Sequence, residues 1–186
     1  MDAAGYLKLL VGDRDPQAPL FSTEEYEAIL WSHRLSPGEL ARLGLSAGAD
    51  GRVRMSLSPI GPEPTTLYAA PRGGILDQGA ELLLDGAVVD PQVTPYTLHG
   101  GEGRVEFQTA PAAGSRLELL AYLADLRQAA AAALLMVASD RARLAQKVRL
   151  DGLSGDLEKA AQEVRRQAAA ISALPRPLSL GGEPIL

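Results

Sequence analysis

Five carboxylates lie within nineteen residues near the start of the chain, a density that can hold a metal ion or supply acid–base chemistry. They are Asp13, Asp15, Glu24, Glu25 and Glu27, in GDRDPQAPLFSTEEYEAIL. A calcium loop counted from Asp13 would place its bidentate ligand at Glu24, but Pro16 and Leu20 interrupt the ligand positions and the central glycine is missing. We therefore interpret these carboxylates as turn and helix-capping residues.

Other reactive groups also lack the partners that catalysis requires. His33 and His99 are the only histidines, and neither belongs to an H-x-x-x-H or H-E-x-x-H motif. The glycine-rich stretches PRGG (71–74) and HGGEG (99–103) lack the ending of a phosphate loop and the context of a dinucleotide fold, so we read them as turns. The chain has no cysteine. We predict no catalytic residue, no metal and no cofactor, and hence a protein that is not an enzyme.

The elements around these residues begin with well-specified helices. A short helix over residues 5–11 should stop at Gly12. Ser22 and Glu25 form a capping box, and Phe21 and Tyr26 are spaced for a hydrophobic staple. A second box joins Ser36 and Glu39, with a proline at the first helical position. Residues 1–50 are therefore predicted to be helical.

The hydrophobic period changes at residue 51. Val53, Met55 and Leu57 alternate with polar residues, which predicts a half-buried strand. Two hairpins follow, one with an Asp85–Gly86 turn and one with a glycine-rich turn at 100–103. Residues 51–122 are thus predicted to form an antiparallel β domain inserted into a helical body.

Helical periodicity returns after residue 122. It predicts one long helix over 125–150 and a second over 157–174, which Pro175 and Pro177 end. The predicted fold class is α+β: a helical-bundle core of N-terminal helices and two long C-terminal helices (1–50 and 123–175), the β domain (51–122) and an extended C-terminal arm (176–186).

Charge is distributed unevenly along the chain. Net charge is −5; residues 1–123 hold 9 Lys/Arg against 16 Asp/Glu, whereas residues 124–186 hold 9 against 7. This balance disfavours broad nucleic-acid binding, because an acidic chain without a dense Lys/Arg stripe gains little from counterion release. The basic residues of the last helices are either a solvated face or a contact for a neighbouring subunit or partner: Arg141, Arg143, Lys147, Arg149, Arg165 and Arg166.

The last residues are unusually apolar for a chain end. We expect the arm to bind another subunit or to fold back on its own core; its candidate protein-binding residues are Leu178, Leu180, Pro184, Ile185 and Leu186. No apolar run approaches the roughly 20 residues of a membrane span, and the first residues do not resemble a signal peptide. We therefore expect no membrane contact.

Two stretches resemble the head–tail connector (adaptor) proteins of tailed bacteriophages. LLVGDRDPQAPLFSTEEYEAIL is similar to their opening, with a short helix, a G-D-x-D turn and an acidic helix start. DLRQAAAAALLMVASDRARLAQKVRLDGLSGD with EKAAQEVRRQAAAISAL is similar to their closing half. LLLDGAVVDPQVTPYTLHGGEGRVEFQTAPAAGSRLELLAY also resembles a small β element of phage structural proteins, although the shortest connectors lack such an insertion.

The resemblance implies a structural protein of the virion, located at the head–tail interface after assembly in the host cytoplasm. Members form a homo-oligomeric ring, typically dodecameric, that docks on the portal protein, extends the DNA channel and receives the tail or a stopper protein. DNA would pass through without sequence-specific binding. The C-terminal arm would then contact the portal.

Two other classes remain as alternatives. A ligand- or carbohydrate-binding β module on a helical scaffold would use loops 71–79 and 99–103, with Tyr68, Tyr96, Phe107 and Tyr122 as its few aromatics. A hydrolase is disfavoured because no nucleophile–base pair is evident.

Overall fold

A computed structural model describes residues 1–150 and 157–173. Their contacts divide the chain into two compact units. The β unit contains Met1–Ala3 and Arg34–Ala124. The helical unit joins Ala4–His33 to the described residues from Asp125 onward. One unit is thus nearly continuous in sequence, whereas the other is assembled from two distant segments.

The described residues contain six helices, and side-chain caps begin several of them. The helices are α1 (Ala3–Val11), α2 (Thr23–Ser32), α3 (Pro37–Arg42), α4 (Leu126–Ser139), α5 (Arg141–Leu150) and α6 (Leu157–Ala173). Gly12 adopts a φ of 78° at the end of α1, where the Asp13 N–H donates to the Lys8 carbonyl at 2.9 Å. A left-handed glycine of this kind is a common helix stop.

Eight strands form two antiparallel sheets in the β unit. They are β1 (Val53–Ser56), β2 (Ser58–Pro59), β3 (Leu67–Ala69), β4 (Ile75–Leu84), β5 (Ala87–Val88), β6 (Tyr96–His99), β7 (Arg104–Phe107) and β8 (Leu117–Leu123). The sheet orders are β1-β8-β4-β5 and β2-β3-β7-β6. The β4–β5 turn has positive φ at both Asp85 and Gly86, as a type I′ turn requires.

The β unit buries one aliphatic and aromatic core. Val53, Met55, Leu82, Leu119 and Leu123 are almost completely buried in it. Leu35 and Leu40, which precede the strands, belong to the same core. The main segment of the unit therefore begins at Arg34 and includes α3, whereas hydrophobic alternation predicted the β domain from residue 51.

Glycines allow two turns of the β unit to meet backbone to backbone. A Cβ added to Gly100 would lie 2.3 Å from the Ile75 carbonyl oxygen, and one added to Gly73 would lie 2.4 Å from the Gly101 carbonyl oxygen. Any side chain at these positions would therefore clash with main chain. The stretches read separately as turns pack against each other.

Alanine-rich α4 lies at the centre of the helical unit and packs against α2, α5 and α6. Ala129, Ala130, Ala133, Leu134 and Val137 are buried on it. Small side chains permit neighbouring helices to approach closely. On α6 the buried residues are Ala161, Val164 and Ala168, spaced as one helical face.

The predicted helical-bundle core with two long C-terminal helices is wrong. The pattern over 125–150 is divided at Asp140, which ends α4 in extended geometry (φ −99°, ψ 111°). Its Oδ1 accepts from the N–H groups of Ala142 at 2.9 Å and Arg143 at 3.2 Å, and so caps α5. The structure is α+β with six helices and two antiparallel sheets. The predicted arm, 176–186, lies outside the described residues.

Candidate functional site

Asp13 and Asp15, the first two carboxylates of the opening stretch, serve the fold. Asp13 is only 8% exposed, and its Oδ2 accepts from the Tyr26 hydroxyl at 2.7 Å and the Leu20 N–H at 3.1 Å. Its Oδ1 is buried and has no hydrogen-bond partner within residues 1–150 and 157–173. Asp15 accepts the Gln17 N–H at 2.9 Å within the turn. Burial, followed by the hydrogen bond to Asp13, raises the pKa of Tyr26, so its hydroxyl stays protonated as a donor.

Both capping boxes are present in the structure. The Glu25 N–H donates to Ser22 Oγ at 3.2 Å, and the Ser22 N–H donates to Glu25 Oε2 at 2.8 Å. In the second box, the Ser36 N–H donates to Glu39 Oε2 at 2.9 Å. Phe21 and Tyr26 are buried with ring centroids 5.2 Å apart. The hydroxyl and carboxylate groups of these two boxes, which could in principle take part in catalysis, thus serve to start helices.

Glu25 has a second role that the sequence did not reveal. The Arg143 guanidinium of α5 donates to its Oε1 at 2.6 Å and lies 4.3 Å from the Phe21 ring centroid. The hydrogen bond from Arg143, with that from the Ser22 N–H, lowers the pKa of Glu25. Arg143 therefore stacks on the staple and pairs with the capping box at once.

Lys147, one turn further along α5, forms a hydrogen bond with the end of α1 just before the opening stretch. Its side chain is buried, and Nζ donates to the Val11 carbonyl at 2.9 Å. Gln146 donates through Nε2 to the Ala18 carbonyl. Since Leu144 is also buried, Lys147 occupies the inward phase of α5, at i+3 from an apolar residue. That phase was the sequence signal for an internal role.

Five of the six predicted basic contacts have described side chains, and these five separate into two groups. Arg143 and Lys147 are engaged within the helical unit. Arg149, Arg165 and Arg166 are exposed, and Arg166 lies 3.6 Å from Glu163 on the same helix. Arg141 begins α5, but its side chain is outside the described part of the chain. Among these five described side chains, those exposed to a partner are Arg149, Arg165 and Arg166.

The histidines occupy hydrogen-bonded surface positions. His33 Nδ1 lies 2.9 Å from the Ile29 carbonyl oxygen, and His99 Nε2 lies 3.2 Å from Glu106 Oε2. In residues 1–150 and 157–173, no three His, Cys, Asp or Glu side chains are grouped so that they could hold a metal ion. Ser32 Oγ lies 2.9 Å from His33 Nδ1, but its hydroxyl donates to the Ile29 carbonyl at 2.7 Å, as in an ordinary helix-end contact.

The aromatics of the β unit offer little surface for stacking on a sugar. Tyr68 and Phe107 are buried with ring centroids 5.7 Å apart, and Tyr96 is half-buried against Phe107. The Arg34 guanidinium lies 4.9 Å from the Tyr122 ring centroid. A Cβ on Gly79 would approach that ring to 3.3 Å. All four aromatics of the carbohydrate-binding alternative are thus packed by protein.

The remaining candidates and the comparisons add little about identity. Leu178, Leu180, Pro184, Ile185 and Leu186 lie outside the described residues. None of the helices described here has the length and apolarity of a membrane span. The chain matches no family model, no curated protein and no solved structure. The strongest candidate region is the helical unit, where α5 contacts the end of α1 and the opening stretch.

Proposed function

We propose that this protein is a non-enzymatic structural subunit of a tailed-bacteriophage virion, a head–tail connector that docks on the portal. It oligomerises with its own copies, extends the DNA channel and offers a surface to the tail or a stopper protein. It acts by binding and bridging. Its place is the head–tail interface, reached after assembly in the host cytoplasm.

One observation carries the proposal. The two stretches that resemble connector proteins are separated by the whole β domain, yet they belong to one compact unit. Asp13 and Tyr26 bond within the first stretch, while Arg143 and Lys147 of the second bind Glu25 and Val11 of the first. The residues of the motifs are therefore those that join the segments. If the two stretches resembled connector proteins only by chance, there would be no reason for their residues to contact each other.

The direct test mixes the purified chain with portal rings and examines the particles by electron microscopy and mass photometry. A connector adds a ring of density to one end of the portal, with a mass that is a multiple of the subunit mass of 19.6 kDa. A capsid protein without portal function serves as the matched control. Particles identical to the portal alone, at micromolar concentrations of this protein, would contradict the proposal.

A further inference from the structure

The solvent face of α2 combines negative charge with apolar surface. Its buried residues fall on one side of the helix, and the opposite side is spaced i, i+3, i+4, i+7. We call that side the acidic stripe; it consists of Glu24, Glu27, Ala28 and Trp31. The first three are exposed and Trp31 is half-buried. The backbone N–H of Glu24, with the Ser22 hydroxyl, lowers the pKa of Glu24 and favours its charged form.

The joined surface of α4 and α6 has the converse character. Leu135 and Met136 of α4 are 50% and 43% exposed, and Arg165 and Arg166 of α6 are exposed. We call these four residues the basic stripe. Large apolar side chains beside arginines are typical of the centres of protein interfaces.

A side-chain contact brings Leu135 and Arg165, two members of the basic stripe, to one level. Gln128, at the start of α4, donates through Nε2 to Ser172 Oγ, near the end of α6, at 3.1 Å. The two packed helices therefore run in opposite directions. Seven residues onward in α4 is Leu135, and seven residues back in α6 is Arg165, so equal helical rise places them side by side.

The charges of the helical unit are segregated by segment. Residues 4–33 hold two Lys/Arg against five Asp/Glu, a net charge of −3. Helices α5 and α6 hold seven Lys/Arg against two Asp/Glu, a net charge of +5. Arg143 and Lys147 are engaged within the unit, so the described cations of α5 and α6 that face solvent are Arg149, Lys159, Arg165 and Arg166. An acidic face on one copy attracts such a basic face on another, whereas two faces of like charge repel each other.

We propose that the acidic stripe of one copy binds the basic stripe of a second copy. The contact is heterologous, since α2 of one molecule meets α4 and α6 of the next, and repetition of such a contact builds a ring or a filament. Trp31 and Ala28 cover Leu135 and Met136, while Glu24 and Glu27 face Arg165 and Arg166. The inference rests on the proposed function, which requires copies to associate. It identifies the two surfaces through which they would do so.

Complementary charge reversal tests the pairing. R165E/R166E carries two acidic stripes, and E24K/E27K carries two basic ones, so each variant alone should associate at least about tenfold more weakly than the native chain at low salt. An equimolar mixture should recover association, because each native stripe then meets its native partner on the other variant. Sedimentation velocity measures all four samples. R149E, an exposed α5 reversal outside both stripes, is the matched control.

Cysteine cross-linking tests the same contact without changing two charges per stripe, on a chain that has no cysteine. E24C mixed with R165C should give a bismaleimide-linked heterodimer, whereas each variant alone should give none. The reaction is run with and without portal rings. Native-like association of both reversal variants, or a mixture that cross-links no more than either variant alone in both settings, would overturn the proposal. Portal binding by either variant supports the connector function separately.

Discussion

The two units reach stability by different means. The β unit is nearly continuous from Arg34 to Ala124, and its tightest contacts are between backbones at glycine turns. The helical unit joins two segments that the β unit separates, and its fixing contacts are polar side chains with low exposure, Asp13 and Lys147. Three strand pairs of the β unit, β2–β3, β4–β5 and β6–β7, join strands that are consecutive in sequence. The two distant segments of the helical unit meet through packing of α4 against α2 and through the directional hydrogen bonds of Arg143 and Lys147.

The difference teaches where specificity lies in each unit. Nonpolar packing tolerates volume-conserving changes, whereas a close backbone approach admits no side chain at all. A buried amine or carboxylate must find its partner, so it fixes the register of the helices that carry it. The β unit should therefore be most sensitive at glycines, and the helical unit at its buried polar groups.

The largest effect is expected from Gly100→Ala. The added Cβ meets the Ile75 carbonyl oxygen at 2.3 Å, so β4 must move away from the 99–103 turn. We expect a loss of about 3 kcal/mol in unfolding free energy, measured in urea, with hydrogen-exchange protection lost first in β4 and β7. Gly38→Ala is the control, since its Cβ would meet no atom within 4 Å and it lies in α3. Equal stability of the two variants would contradict the backbone contact.

The next effect sharpens the comparison from the helical side. Lys147→Met keeps the length of the side chain but leaves the Val11 carbonyl without this donor, which should cost about 2 kcal/mol. The single tryptophan, Trp31, lies in the helical unit and reports its unfolding by fluorescence. Lys159→Met, at an exposed position of α6, should change the midpoint little. A similar loss in both variants would assign Lys147 no special role.

A smaller loss is expected from Tyr26→Phe. The change removes the donor at 2.7 Å from Asp13 Oδ2 and keeps the ring against Phe21, so we expect about 1.5 kcal/mol. Because the folded pKa of Tyr26 is raised, its contribution is full below the ordinary tyrosine pKa of about 10 and declines as pH rises above it. Thermal unfolding at pH 8 and pH 11 should therefore show wild type losing more stability than Y26F. If wild type and Y26F lost the same stability between pH 8 and pH 11, the link between Tyr26 ionisation and unfolding would be refuted.

The smallest effect concerns Glu25 and Arg143. The lowered pKa of Glu25 means that its pairing stabilises the fold above the ordinary value of about 4.3, and that this contribution is lost as pH falls through the depressed folded value. The Glu25 side chain is 42% exposed, so solvent screening keeps the pairing below about 1 kcal/mol. Between about pH 6 and pH 3, Arg143→Met should lose less stability than Arg149→Met. Parallel pH curves for these two variants would show no coupling.

Local signals predicted the local structure well. The capping boxes of Ser22 and Ser36 depend on residues three apart, and the Asp85–Gly86 turn depends on two adjacent residues. The extent of α6 followed from its apolar period and the prolines beyond it. These features need no information from distant parts of the chain.

Long-range features were beyond such reasoning. Nothing near Gly100 indicates that Ile75 lies against it, and the order β1-β8-β4-β5 pairs strands more than sixty residues apart in the case of Val53 and Ala121. At the candidate site, Arg143 and Lys147 looked like surface cations because their acceptors lie more than one hundred residues earlier. Asp140 was missed as a break because the alanine-rich helical pattern continues across it.

The corner at Asp140 leaves no spare length between α4 and α5. One residue ends the first helix and caps the second, and the first two anchoring side chains follow within seven positions. Adding a single residue after it would turn every later position of α5 by about 100°, carrying Arg143 and Lys147 away from their acceptors. Related sequences should therefore carry no insertions or deletions at this corner and should vary in length at other positions.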